Sequence, residues 1–191
     1  MLTILDANVK GIFTSSRVLA LLSVLNLSGA LALAQVPPPK SIYTSVDARK
    51  CRTIKSSQTE AGDYLGRCVG TAGYTLLVAE GDLRQNVTVI TPGKKEHSLD
   101  LWTIVSSAFS SVGPTVEWRT VKRIPVALIL RYNANEDPEK PDKKTSYLVV
   151  TKITANEICV TDKVAPGPKA NDEARRLADE AAGKPCLKAQ R

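Results

Sequence analysis

Val126-Ala127-Leu128-Ile129-Leu130-Arg131-Tyr132 is apolar at consecutive positions until Arg131 interrupts it. A strand with one wet face alternates apolar and polar residues, and a strand without alternation is covered on both sides. This stretch therefore reads as a central strand. Ser146-Tyr147-Leu148-Val149-Val150-Thr151-Lys152-Ile153 reads the same way, with Glu157-Ile158-Cys159-Val160-Thr161 as a short partner after it. The polar run from Asn133 to Lys144 separates the two apolar stretches, so it reads as a long exposed hairpin loop.

Upstream, Gly73-Tyr74-Thr75-Leu76-Leu77-Val78-Ala79 leads into the turn-like Glu80-Gly81-Asp82. Leu83, Gln85, Val87 and Val89 then alternate with Arg84, Asn86 and Thr88, which makes a hairpin. Val116 to Thr120 is a further strand, with Trp118 buried beside an exposed Arg119. Two helices interrupt the pattern. Leu101, Ile104, Val105, Ala108, Phe109 and Val112 fall at helical spacing, and Gly113-Pro114 ends that helix. Ser106, Ser107, Ser110 and Ser111 fall off its apolar stripe. A second helix runs from about Asn171 to Ala182 on a narrow face of Ala174, Leu177, Ala178 and Ala181. Asp172 and Glu173 sit at its positive end, and Gly183 and Pro185 stop it. The sum is an α+β fold: a mainly antiparallel sheet, a sandwich or partial barrel, with one packed helix and a tethered C-terminal helix.

The tether comes from the cysteines. Cys51, Cys68, Cys159 and Cys186 are even in number, and three pairings are open. Cys51–Cys68 and Cys159–Cys186 are favoured, because each closes a short stretch within one half of the chain. Zinc needs close pairs such as C-x-x-C or added histidines, and His97 is the only histidine, so no metal site is expected.

The N-terminus explains why disulfides are expected. Lys10 and Arg17 precede an apolar run from Val18 to Ala34 that closes on Ala32-Leu33-Ala34. These are the three parts of a secretory signal, residues 1–34, with cleavage after Ala34. The run is short for a spanning helix and is broken by Asn26, Ser28 and Gly29. No transmembrane segment is expected after cleavage. Residues 35–191 then form a single domain in an oxidising compartment, periplasmic or secreted. The chain carries a net charge of +7, one less once Asp6, Lys10 and Arg17 are removed. Its cations are scattered doublets such as Lys94-Lys95 and Arg175-Arg176, without interleaved aromatics, so nucleic acid is not an expected partner.

Chemistry-bearing motifs are sparse. His97 lies in a polar turn and reads as a solvated loop residue, and no G-x-S-x-G elbow is present. Gly66 to Gly73 lacks the ending of a phosphate loop, and no cofactor is expected. Asn86-Val87-Thr88 matches a glycosylation acceptor within a strand. Glu80 and Asp82 flank Gly81 as turn residues, and Glu117 has Arg119 as its same-face neighbour. A carboxylate-dependent hydrolase of an envelope polymer would act through carboxylates such as Glu80, Asp82 or Glu117. The candidate binding group is Arg84, Arg119 and Arg131, each on a predicted strand. If those strands are adjacent, the guanidinium groups converge and grip a carboxylate or phosphate bidentately.

Several segments carry a resemblance: Gly62-Asp63-Tyr64-Leu65-Gly66-Arg67-Cys68, Gly81-Asp82-Leu83-Arg84, Glu117-Trp118-Arg119, Leu148-Val149-Val150-Thr151-Lys152 and Ala170 to Asp179. Together they resemble a group of uncharacterised exported proteins of proteobacteria. The resemblance implies the periplasm and transfers no activity. The expectation is a non-enzymatic binding protein whose partner is an envelope protein or an anionic envelope component. The alternatives are the hydrolase, or an accessory subunit using the Ser-rich side of the first helix.

Overall fold

The computed structural model describes residues 37–57, 63–140 and 142–189. The chain divides into Met1–Gln35 and Val36–Arg191, and the expected signal segment lies outside the described residues. No helix among the described residues is long and apolar enough to cross a membrane.

The second unit is mostly β-structure. Its strands are β1 (Lys40–Ser45), β2 (Arg52–Ser56), β3 (Tyr64–Val69), β4 (Thr75–Gly81), β5 (Arg84–Ile90), β6 (Glu96–Ser98), β7 (Phe109–Val121), β8 (Ile124–Asn135), β9 (Thr145–Ile153) and β10 (Ile158–Val164). The helices are α1 (Leu101–Ile104) and α2 (Ala170–Asp179). The strands form one open sheet in the order β10-β9-β8-β7-β5-β4-β3-β2. β1 also lies on β7, and β6 on β5. Every pairing is antiparallel except a single parallel bridge, Arg84 to Ser110, which joins β5 to β7.

β8 is the central strand that its sequence requires. Leu128, Leu130, Tyr132 and Ala134 face one core, with Trp118, Val116 and Val149. Leu76, Val78, Val87 and Val89 from the other half of the sheet join the same core, so the two halves bury it between them. Ala127 and Ile129 face the opposite way and meet Ala174 and Ala178 of α2 and Ala181 of the 3-10 turn that follows it, Ala181–Gly183. Tight turns close the hairpins. Asp82 and Leu83 link β4 to β5, and Lys122 and Arg123 link β7 to β8, all four with positive φ. Such two-residue turns match the twist of the strands they join.

The disulfides join Cys51 to Cys68 and Cys159 to Cys186, with Cα separations of 4.4 and 5.7 Å. The second ties β10 to the segment after α2.

Several expectations are corrected. The first helix is a single turn, Leu101–Ile104, and Phe109 to Val112 belong to β7, paired with Asn135 to Tyr132 of β8. The Ser-rich helical face therefore does not exist. Gly113-Pro114 is not a stop but part of a bulge, where the β7–β8 register shifts between Val112 and Val116. Arg119 is buried, at 8% exposure, because α2 covers that face of β7. Asn133 to Asn135 extend β8, so the loop starts at Glu136. His97 sits on β6 opposite Val89 rather than in a turn.

Candidate functional site

The three arginines divide between two places. Arg119 and Arg131 lie on the face of the sheet that α2 covers, and Arg84 lies at the single bridge between the halves. They do not form one site.

On the α2 face, alternation along β7 points Glu117 and Arg119 away from Trp118 and toward the helix. Arg119 grips Asp179 of α2 with Nε and Nη2, at 2.7 and 2.8 Å. It also donates to Ser41 Oγ at 2.5 Å and to the Pro39 carbonyl at 3.1 Å. The hydrogen bonds from Arg119 to Asp179 hold its guanidinium pKa above the ordinary value. Glu117 accepts from Arg175 Nε at 2.8 Å and from Ser41 Oγ at 2.5 Å. Burial alone would raise the Glu117 carboxyl. The bonds from Arg175 and Ser41, with the charges of Arg175 and Arg119, carry it below the ordinary value instead. Glu117 and Arg119 are 3.7 Å apart, so their expected ion pair is secondary to the bonds each makes to α2.

Beside this clamp is a cleft of about 220 Å³ between α2 and the sheet, lined by Tyr43, Glu117, Ile129, Arg131, Leu148 and Arg175 among others. Arg175 was not singled out from the sequence, where Arg175-Arg176 looks like one solvated doublet. The helix separates the pair. Arg175 follows the buried Ala174 and turns inward, while Arg176 pairs outward with Glu180 at 3.0 Å. Adjacency to the buried Ala174–Ala178 stripe was the available signal.

Arg84 has different surroundings. Its Nε donates to the Ser107 carbonyl at 2.8 Å, and its Nη1 to the Asp82 carbonyl at 3.1 Å and to the Asp82 carboxylate. The guanidinium lies 5.0 Å from the centre of the Phe109 ring. Phe109, Trp102 across the adjoining cleft, and Leu83 of the turn before Arg84 are 47%, 49% and 45% exposed. A cleft of about 400 Å³ runs between Trp102 and Glu80, Asp82, Arg84 and Asn86. A second hollow of about 380 Å³, lined by Ala108, Phe109, Asn135 and Pro138, shares Arg84 as its wall.

The other candidates are engaged in structure. Glu80 accepts from Gln85 Nε2 at 2.5 Å. Asn86 of the acceptor motif uses both ends of its amide, donating to Ser98 Oγ at 2.9 Å and accepting from the Leu101 N–H at 3.0 Å. Its Oδ1 thus satisfies a free N–H at the start of α1. Burial, then the charge of Lys95, lowers the His97 pKa. Glu157 lies beside Cys159 and Cys186, but a disulfide leaves no thiolate to ligate a metal.

Comparison with protein-family models, curated proteins and solved structures returns no match.

Proposed function

We propose that this chain is an exported binding protein of the cell envelope, without catalysis of its own, that docks a partner protein on the surface around Arg84. The observation that carries this reading is the placement of Trp102 and Phe109, each about half exposed, on either side of one fixed arginine, with the exposed Leu83 next to it in the turn. Trp and Arg are the residues that dominate binding energy at protein interfaces, and clefts beside them seat a partner's anchors. On this basic chain the Trp102 cleft is locally acidic: Glu80 and Asp82 against Arg84. It fits a partner segment with an apolar side chain next to a cation, which would also meet the Trp102 face. Export is supported by the signal-like segment before Gln35 and by two disulfides, which suit an oxidising compartment.

Capture tests the reading. The oxidised domain starting at Gln35 is immobilised and exposed to solubilised envelope extract at low and high salt. One protein retained at both salts, and lost from Trp102→Ala and Arg84→Gln, is the expected result. Equal capture by both variants, or no specific capture, would sink it.

A second reading rests on Glu80 and Asp82 lining the same cleft as Trp102, the layout of a carboxylate hydrolase beside an aromatic platform. Against it, Glu80 is bonded to Gln85 and Asp82 is paired with Arg84, so both carboxylates are already engaged within the fold. Turnover of an envelope polymer that disappears in Glu80→Gln would establish it.

A further inference from the structure

The cleft between α2 and the sheet is separate from the Arg84 surface and carries its own chemistry. Its best-placed cation is Arg131. The stem of that side chain lies over Gly113 of the β7 bulge, where an added Cβ would stand 2.9 Å from Arg131 Cβ. Its Nη1 donates to Ser146 Oγ at 2.9 Å, and Ser146 in turn donates to Asn133 Oδ1 at 2.7 Å. Among the described residues, no carboxylate lies within ion-pair distance of Arg131. The guanidinium is therefore positioned but not neutralised. Arg175 lines the same cleft, held by Glu117 and donating to Tyr43 Oη at 3.3 Å.

We propose that this cleft binds the carboxylate of a small organic acid, with Arg131 as its principal partner and Arg175 as the second cation. Two guanidinium groups against the single carboxylate of Glu117 leave one positive charge within the lining. Asp172 reaches Arg175 at 3.5 Å but is 83% exposed, where solvent screens it. One residual charge matches a monocarboxylate and undercompensates a dianionic phosphate. Ile129 and Leu148 are nearly fully buried and supply an apolar wall for the hydrocarbon part of the acid. The planar fork of an arginine matches a carboxylate in geometry as well as charge. A volume of about 220 Å³ has room for an acid of a few carbons or for the terminal residue of a peptide.

The test is calorimetric titration of the intact oxidised domain with N-acetylalanine, its uncharged amide, N-acetyl-dialanine and inorganic phosphate. The free acid should bind saturably, more tightly than phosphate, while the amide should not bind. Arg131→Gln should weaken the acid at least about tenfold, the loss of one charge-assisted bond. If that variant unfolds more easily than the parent, Arg131→Lys keeps the charge without the fork and should weaken binding in the same direction. Tighter binding of N-acetyl-dialanine would make a peptide terminus the source, and weaker binding a free acid. Trp102→Ala should leave the titration unchanged, which separates this site from the docking surface. No saturable binding of the acid, equal binding of the amide, tighter binding of phosphate, or an unaffected Arg131→Gln would each overturn the proposal.

Discussion

The two faces of β8 are held by different means. On the inner face, Trp118, Tyr132, Leu128 and Leu130 are fully buried between the halves of the sheet. Trp118 packs at 5.8 Å from the Tyr74 ring and donates from Nε1 to Thr44 Oγ1 at 2.9 Å. On the outer face, α2 buries only Ala174 and Ala178, with Ala170 and Leu177 partly buried beside them, and the turn after it adds Ala181. Alanine methyls bury little area, and area sets the hydrophobic gain. The outer face adds what apolar volume does not supply there. The Cys159–Cys186 bond anchors the segment after the helix, Arg175–Glu117 clamps the middle of α2, Arg119–Asp179 clamps its C-terminal end, and Lys184 Nζ holds Asp162 at 2.9 Å. A face held by polar groups also leaves a polar cleft at its edge.

The largest expected effect is on the inner face. Trp118→Ala should cost about 3–5 kcal/mol and lower the urea midpoint of the whole domain, read by any probe. Next comes the staple. Replacing Cys159 and Cys186 by serine opens a loop of 27 residues and should cost about 3–4 kcal/mol in the chain-entropy model. Urea unfolding followed by a probe on α2 should then precede unfolding of the sheet, and coincident curves would blur the distinction between the faces. Arg119→Ala should cost about 2 kcal/mol, less than a fully buried pair because Asp179 stays partly exposed. Arg84→Gln, which loses the bond to the Ser107 carbonyl, should cost about 1 kcal/mol.

The smallest effect is on pH dependence. The Glu117 carboxyl is lowered from its ordinary 4.5 in the folded chain, so the unfolded chain takes up that proton first as the solution is acidified. Its stabilising contribution is complete above the ordinary value and is lost as pH falls through the lowered one. Urea midpoints of the parent and Glu117→Gln should therefore converge in acid. A gap that persists there would mean that the variant acts through packing and not through the charge.

Much of this contrast was legible in the sequence. The lack of alternation in β8 and β9 demanded cover on both faces, but the expected packed helix was the first one, and it is the helix with the Ala174–Ala178 stripe that provides the cover. The cysteine spacing pointed to the tether. What failed were inferences about cover across long separations. Alternation next to Trp118 correctly sent Arg119 to the other face, but nothing local said that a helix about sixty residues later would bury it. The segment from Leu101 to Val112 fits helical spacing, yet pairing with β8 overrides it. The N–H of Val112 bonds Gln85 Oε1 at 2.7 Å, and that of Ser110 the Leu83 carbonyl at 2.9 Å. Gly113 looked like a terminator because its other use, making room for the Arg131 stem, depends on a strand that follows it. Arg131 was recognised as a candidate cation, but its neighbour in the cleft was Arg175 rather than Arg84 or Arg119.

Amide hydrogen exchange on the oxidised domain, compared with the Cys159→Ser/Cys186→Ser variant, tests the division between the faces most directly. The account predicts that protection of the α2 amides, Ala170–Asp179, collapses in the variant while the amides of β8 at Leu128 and Leu130 keep most of theirs. Equal loss of protection in α2 and β8 would contradict it, because the two faces would then open as one unit.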